Sequence, residues 1–305
     1  MISVSFSSIL KPSEVALIFN SISSSVMKFL ANLTLIGFSL IACSSVAFSS
    51  IVKDHFDDSN RGLQSPPQSL AYFANQGPNT LIEQEGALIF NGFKANRFFM
   101  AYFTEPGGYI DLAVGEAISL KFTFRPDIVN FTQSRHLRFA LFESGDSIDD
   151  TRAVSSDSFA TNLSGLQNYR GYQASLSLRN SPASEQMVLA KRHKTFNDLL
   201  IVFNPANSGY SHLGLNGQGD FVSEQVYTAQ LNIIRLEANK AEISAIVVPG
   251  GPDSTVGTNC FVKVIDTDAP TLRFDSLAIG LNTADGSVRD IQIEELEVFK
   301  VRISD

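Results

Sequence analysis

Tryptophan is absent from this 305-residue chain, and cysteine (2), methionine (4) and histidine (4) are scarce. The missing indole removes the largest flat ring on which a neutral sugar stacks, so any stacking rests on seven Tyr and 24 Phe. Two cysteines, Cys43 and Cys260, give neither a disulfide framework nor a cysteine-built metal site. Cys260, in T-N-C-F-V-K-V, reads as a small buried hydrophobe. Positive charge is also short: 23 Lys and Arg against 31 Asp and Glu leave −8, or −9 without the first 47 residues. Such a balance excludes nucleic acid and general adhesion to anionic lipid. There is no Gly-x-Ser-x-Gly elbow and no His-Glu-x-x-His zinc helix, and His55, His136, His193 and His212 are scattered. No internal repeat points to a propeller or β-helix.

One apolar run stands near the N-terminus. Met27-Lys28 opens it, residues 29–42 are mostly apolar, and small residues follow to Ala47. A charged start, a short apolar core and a small-residue end make a secretory signal peptide, too short to favour a membrane span of about 20 residues. Residues 1–26 are then a dispensable or misassigned extension, 27–47 the signal, and 48–305 one domain. Ser45-Val46-Ala47 suits ordinary cleavage, whereas Leu40-Ile41-Ala42-Cys43 suits a lipobox that would lipidate Cys43. Either route exports the protein, to the medium, the periplasm or the outer membrane as a lipoprotein, and any membrane tie is the signal or the lipid.

The rest of the chain alternates. Ile118, Leu120, Phe122 and Phe124 interleave with Ser119, Lys121, Thr123 and Arg125, and Leu137, Phe139 and Leu141 interleave with Arg138, Ala140 and Phe142. Period two is the mark of a strand with one buried face. Further strands are expected at 86–93, 97–103, 172–179, 186–192, 227–233, 243–248, 261–265, 272–281 and 290–301, and a turn at 237–240 makes 227–248 a hairpin. Residues 143–171 form the longest irregular stretch. Many turn-punctuated strands predict an all-β, two-sheet antiparallel sandwich or jelly roll.

In this order the motifs D-H-F-D-D-S-N-R, P-P-Q-S-L-A-Y-F, L-A-V-G-E-A-I-S-L-K-F-T-F, L-R-F-A-L-F-E-S-G, Y-R-G-Y-Q-A, F-D-S-L-A-I-G and I-E-E-L-E-V span most of 51–301. The set resembles exported bacterial jelly-roll domains of the concanavalin A-like lectin/glucanase type. The resemblance implies a sandwich used by proteins that handle polysaccharides, without an established activity. Members often carry Trp where this chain has Tyr72, and Asp-Asn where it has Glu294-Glu295.

Candidate chemistry follows. Lys121, Arg125, His136, Arg138, Tyr172 and Arg179 form the expected ligand set, and in it Lys121, Arg125, Arg138 and Arg179 make a basic stripe for an acidic or sulfated polysaccharide if their strands are neighbours. His136, Arg138 and Tyr172 also supply the residue types of a uronate lyase. The pairs Glu83/Glu85 and Glu295/Glu297 have the strand spacing of a glycosidase carboxyl pair but look like solvated edges, and the laminarinase-type E-x-D-x-x-E is missing. Calcium is the one cofactor suggested, at Asp146, Asp149 and Asp150 or at Asp54, Asp57 and Asp58. The expectation is a carbohydrate-binding or surface-interaction module rather than an enzyme, with a polysaccharide-degrading lyase or glycoside hydrolase second and a structural envelope protein third.

Overall fold

The alternation resolves into strands paired antiparallel. In this computed structural model the described residues are 47–62, 65–84, 86–91, 97–128, 136–146, 152–159, 164–178, 187–193, 200–201, 209–216, 219–252, 257–282 and 288–302. Their strands are β1 (Ala47–Asp54), β2 (Phe73–Ala74), β3 (Leu81–Gln84), β4 (Ala87–Asn91), β5 (Arg97–Tyr102), β6 (Ile110–Asp111), β7 (Glu116–Ile128), β8 (His136–Glu143) and β9 (Arg170–Ser177). They continue with β10 (Met187–Arg192), β11 (Tyr210–Asn216), β12 (Tyr227–Glu237), β13 (Lys240–Pro249), β14 (Cys260–Asp266), β15 (Arg273–Phe274), β16 (Ser276–Asn282) and β17 (Val288–Arg302).

Eight strands make one sheet, in the order β14-β13-β12-β7-β17-β4-β3, with β1 also paired to β17. Seven make the other, β11-β10-β9-β8-β16-β5-β2, and β6 pairs with β15 apart from both. This is the expected all-β two-sheet sandwich. The turn at 237–240 closes a β12–β13 hairpin, with Glu237 opposite Lys240 and their side chains ion-paired at 2.7 Å.

β7 and β8 lie across the core from one another, not side by side. β7 pairs with β12 and β17, while β8 pairs with β9 and β16. Their inward residues meet edge to face, with the Phe122 and Phe139 ring centroids 5.3 Å apart. Leu120, Phe124, Leu137, Leu141, Leu231 and Val298 pack in the same layer, all fully buried. Each such side chain stabilises the fold by roughly 1.5–3 kcal/mol relative to exposure. Cys260 joins this core, and burial pushes its thiol well above the usual range.

The outward side of the seven-stranded sheet is covered as well. Phe98, Met100, Tyr102, Ala140, Phe142 and Ala278 pack there against Val154, Phe159, Leu166, Tyr169, Leu200 and Ile201. The stretch expected to be irregular therefore supplies a second apolar layer. Approach is close where it rejoins the sheet: a Cβ at Gly171 would stand 2.1 Å from the Leu141 carbonyl, so only glycine fits without a shift. Among the described residues no helix is long and apolar enough to cross a membrane.

Candidate functional site

At one rim of the sandwich, the end strands of both sheets come together. β2 ends the seven-stranded sheet and β3 ends the eight-stranded one. Local pattern and chemistry conflict on β3. Its burial alternates so that Leu81 and Glu83 turn inward, while Ile82 and Gln84 are exposed. A carboxyl thus occupies an inward position and a branched hydrophobe an outward one, the kind of local inconsistency that marks functional sites.

Between these strands lies an open cleft of about 520 Å³. Ser59–Gly62 wall it on one side, Ser156 and Asp157 on another, with Tyr72, Phe73, Pro78, Leu81, Ile82 and Glu83 completing the lining. The volume falls in the usual range of small-molecule sites.

Three carboxylates organise the cleft, Asp157 and Glu83 in its lining and Asp54 buried behind it. Asp54, at the end of β1, accepts from Phe56 N (2.8 Å), Leu70 N (3.3 Å) and the Tyr72 hydroxyl (2.9 Å). Burial raises its carboxyl above the ordinary range, against the pull of these three donors. In the loop that follows, Phe56 and Ser59 take φ 58° and 54°, a left-handed conformation costly for a residue as large as Phe, and Phe56 is tied there by its N–H bond to Asp54.

Asp157 is the second. Arg61 grips it with both terminal nitrogens, Nη1 to Oδ1 at 2.9 Å and Nη2 to Oδ2, and Ala74 N donates to Oδ1 at 2.9 Å. Arg61 Nη1 also donates to Tyr72 O at 2.7 Å, and Nη2 to Pro78 O at 3.3 Å. Burial would raise the Asp157 carboxyl, but the Arg61 fork and the Ala74 amide hold it below the usual range. This one guanidinium staples four segments together.

Glu83 is the third and differs in kind. It is 8% exposed, and Oε1 accepts a 3.3 Å bond from Asn60 N. Its carboxyl lies in hydrogen-bonding contact with that of Asp58, whose Oδ1 accepts from the same Asn60 amide at 3.0 Å. Two ionised carboxylates are both acceptors, so the contact becomes a bond only when one carries a proton. Burial, then the Asp58 contact, pushes Glu83 up to about 8; the bond from Glu83 brings Asp58 down. Near neutral pH the pair holds one proton, mainly on Glu83. Among the described residues no Lys, Arg or His is ion-paired with either.

The residues expected to form a basic stripe are separated. Lys121 and Arg125 lie on β7 in the eight-stranded sheet, and Arg125 Nη2 meets Glu294 Oε1 at 2.7 Å. Arg138 lies on β8 in the other sheet, 2% exposed beneath the second apolar layer, with Nη1 donating to Ile201 O at 3.1 Å. Burial lowers its guanidinium to about 10. Tyr172 is fully buried and donates to Asp266 Oδ2 at 3.0 Å, where Lys191 Nζ also binds at 2.8 Å to Oδ1. His136 opens β8 opposite Ser177 and Asn282. The His136 side chain, Arg179, Asp149, Asp150 and Cys43 lie outside the described residues.

Of the first calcium set only Asp146 is among the described residues, and Asp54, Asp57 and Asp58 form no group of three ligating side chains. Asp146 is committed to Arg152 at 3.1 Å. Glu295 and Glu297 are not a solvated pair either: Glu295 meets Lys53 at 3.5 Å and His55 at 3.6 Å, and Glu297 is 8% exposed. Tyr72, where relatives by resemblance carry Trp, is an interior hydroxyl donor and not a stacking surface.

No family model and no curated protein sequence matches the chain. Solved structures do. The metal-free Emp46p carbohydrate recognition domain is 12% identical, with 74% of this chain and 87% of that one covered and a TM-score of 0.41. Peanut lectin with a bound nine-residue peptide is 8% identical over 86% and 100%, with a TM-score of 0.40. A carbohydrate esterase from the Shiga toxin-encoding bacteriophage phi24B is 9% identical over 83% and 99%, with a TM-score of 0.45.

Asp58 and Glu83 were visible in the sequence only as parts of other pairings, and Arg61 and Asp157 carried no signal. The available clue was D-D-S-N-R-G, a turn-forming run dense in polar groups.

Proposed function

We propose that this chain is an exported, non-catalytic carbohydrate-binding module whose ligand seats in the edge cleft. The observation that carries the reading is convergence. The Arg61–Asp157 fork, the Asn60 backbone and Glu83 stand beside Phe73, Pro78 and the 45%-exposed Ile82. A sugar ring presents hydroxyls at its edge and C–H groups on its face, which suits planar polar groups next to an apolar wall. The lectin and carbohydrate recognition domains among the structural neighbours accord with this reading, and the signal-like pattern at 27–47 supports export.

The hydrolase alternative draws on the Asp58–Glu83 carboxyls, one protonated and one ionised. Retaining glycosidases hold such groups about 5–5.5 Å apart, and inverting ones further. Here they touch, which leaves no room for a scissile bond between them. An acidic or sulfated polysaccharide would need a different surface, the outward side of β7 around Lys121.

Affinity electrophoresis in neutral, amino and uronate glycans, at low and high salt, tests the proposal. Wild-type protein is expected to be retarded by one class, and Phe73→Ala or Ile82→Ser to lose at least about tenfold of that affinity. Equal mobility in every gel overturns the carbohydrate reading. Release of reducing ends or unsaturated products overturns the non-catalytic part.

A further inference from the structure

We infer a second binding site, apart from the edge cleft, for a tetrahedral oxyanion: a sulfate or phosphate group held by Arg170 and Arg273. The inference does not depend on the carbohydrate reading above.

The site lies where β15 meets the end of β8 and the start of β9. Glu143, the last residue of β8, stands opposite Arg170, the first of β9, and Arg273 comes from β15. Glu143 is buried, and both guanidiniums close on its carboxylate. Arg170 Nε donates to Oε2 at 2.6 Å and Nη2 to Oε1 at 2.8 Å, while Arg273 Nε and Nη2 both meet Oε1 at 2.7 Å. Thr271 Oγ1 donates to Oε2, and the Tyr109 ring backs the Arg273 guanidinium at 4.4 Å.

Three observations point to an anion. The first is stoichiometry: two guanidiniums share one carboxylate, which leaves the group one net positive charge. Arg61, Arg125 and Arg289 are instead each matched with a carboxylate of their own. The second is exposure. The two side chains are 34% and 44% exposed above a buried Glu143. Each spends its Nε–Nη2 edge on that carboxylate and leaves Nη1 without an acceptor among the described residues. The third is that both are set in place before a ligand arrives, which lowers the cost of ordering them. Burial would raise the Glu143 carboxyl, but Arg170, Thr271 and Arg273 hold it below the usual range, so it stays ionised and keeps both guanidiniums close.

Competing carboxylates are few. Asp146 and Asp275 are committed to Arg152. Asp111 is opposite Arg273 in the β6–β15 pair, but it is exposed, and no ion pair joins the two among the described residues. Shape then selects among anions. A carboxylate has two coplanar oxygens, which suit one fork. A sulfate or phosphate adds a third oxygen out of that plane, so one group can meet two guanidiniums arriving from different strands.

The experiment is isothermal titration of the full chain with sodium sulfate, sodium phosphate and sodium acetate, each in a chloride background of constant ionic strength. Glucose 6-sulfate and glucose 6-phosphate follow. Sulfate and phosphate are expected to bind about tenfold or more tighter than acetate, the worth of one charge-assisted hydrogen bond. Arg273→Gln should weaken sulfate by about tenfold. Asp111→Asn removes the nearby negative charge without touching the ion pairs, and should tighten sulfate about threefold. That variant decides the matter if Arg273→Gln does not fold. Lys121→Gln, on the outward side of β7, should leave the affinity unchanged.

Equal affinity for sulfate, phosphate and acetate overturns the inference, as does unchanged sulfate affinity in Arg273→Gln or in Asp111→Asn. Equal loss in Arg273→Gln and Lys121→Gln overturns it in favour of diffuse surface charge. Binding of the free ions without the esters assigns the site to a free oxyanion, and binding of both assigns it to a group carried on a larger ligand.

Discussion

Glu83 couples the stability of the fold to pH in a direction opposite to most carboxylates. An acid whose folded value lies above its unfolded one takes up a proton on folding between the two values. Its contribution is therefore complete at acid pH and falls as pH rises from the ordinary carboxylate range to about 8. Asp58, held below its usual value by the bond from Glu83, works the other way: its contribution is lost as pH falls through the acid range. Glu83→Gln removes the first effect while keeping shape. Thermal unfolding should show the variant equal to wild type near about pH 5 and a few degrees more stable near about pH 9. An equal gap at both values would mean that Glu83 is ionised throughout. The same residue shows why half the site was hidden in the sequence. E-Q-E reads as a wet strand edge because glutamate is usually exposed, and only the packing of β3 against the rim turns Glu83 inward.

At the scale of elements, alternation was informative and adjacency was not. β7 and β8 are legible because every second residue is Phe, Leu or Ile, and that settles which side of each strand faces the core. Which sheet a strand joins depends on partners far away in the chain, such as β17 for β7, and no local pattern encodes that. Arg125 and Arg138 consequently read as members of one stripe although they occupy different sheets. β11 escaped notice because its burial hardly alternates, as expected of an edge strand. Arg152 is one of the polar anchors of the layer over the seven-stranded sheet, along with Arg138 on Ile201 O. Arg152 reaches Asp275 at 3.0 Å, Asp146 at 3.1 Å and the Thr104 carbonyl at 2.6 Å, and lies over the Tyr102 ring at 4.3 Å. Asp275 is fully buried. Arg152→Ala strands that carboxylate and should cost about 3 kcal/mol in urea unfolding. Lysine should fail to restore it, since one ammonium cannot replace a planar fork serving three partners. A loss below about 1 kcal/mol would show that the apolar contacts hold the layer without the anchor.

Across the whole molecule, sheet ends matter as much as sheet faces. β2 has two residues and β3 four, and both present outer backbone edges at the same rim. Open edges of this kind invite another chain to add a strand, and proteins defend them with short strands, charge or a covering loop. Here residues 157–158 take up the edge of β2, with Ala74 N donating to Asp157 Oδ1 and Ser158 N to Ala74 O, and Arg61 pins its own loop to them through Asp157, Tyr72 and Pro78. The residue that shapes the cleft would thus also guard against self-association. Arg61→Ala should remain folded yet show concentration-dependent light scattering and a gain in β-aggregate fluorescence under conditions where wild type stays monodisperse. If the variant stays monodisperse, strand length alone protects the rim. If it scatters light as expected, the shape of the cleft and the solubility of the folded chain would both rest on one guanidinium.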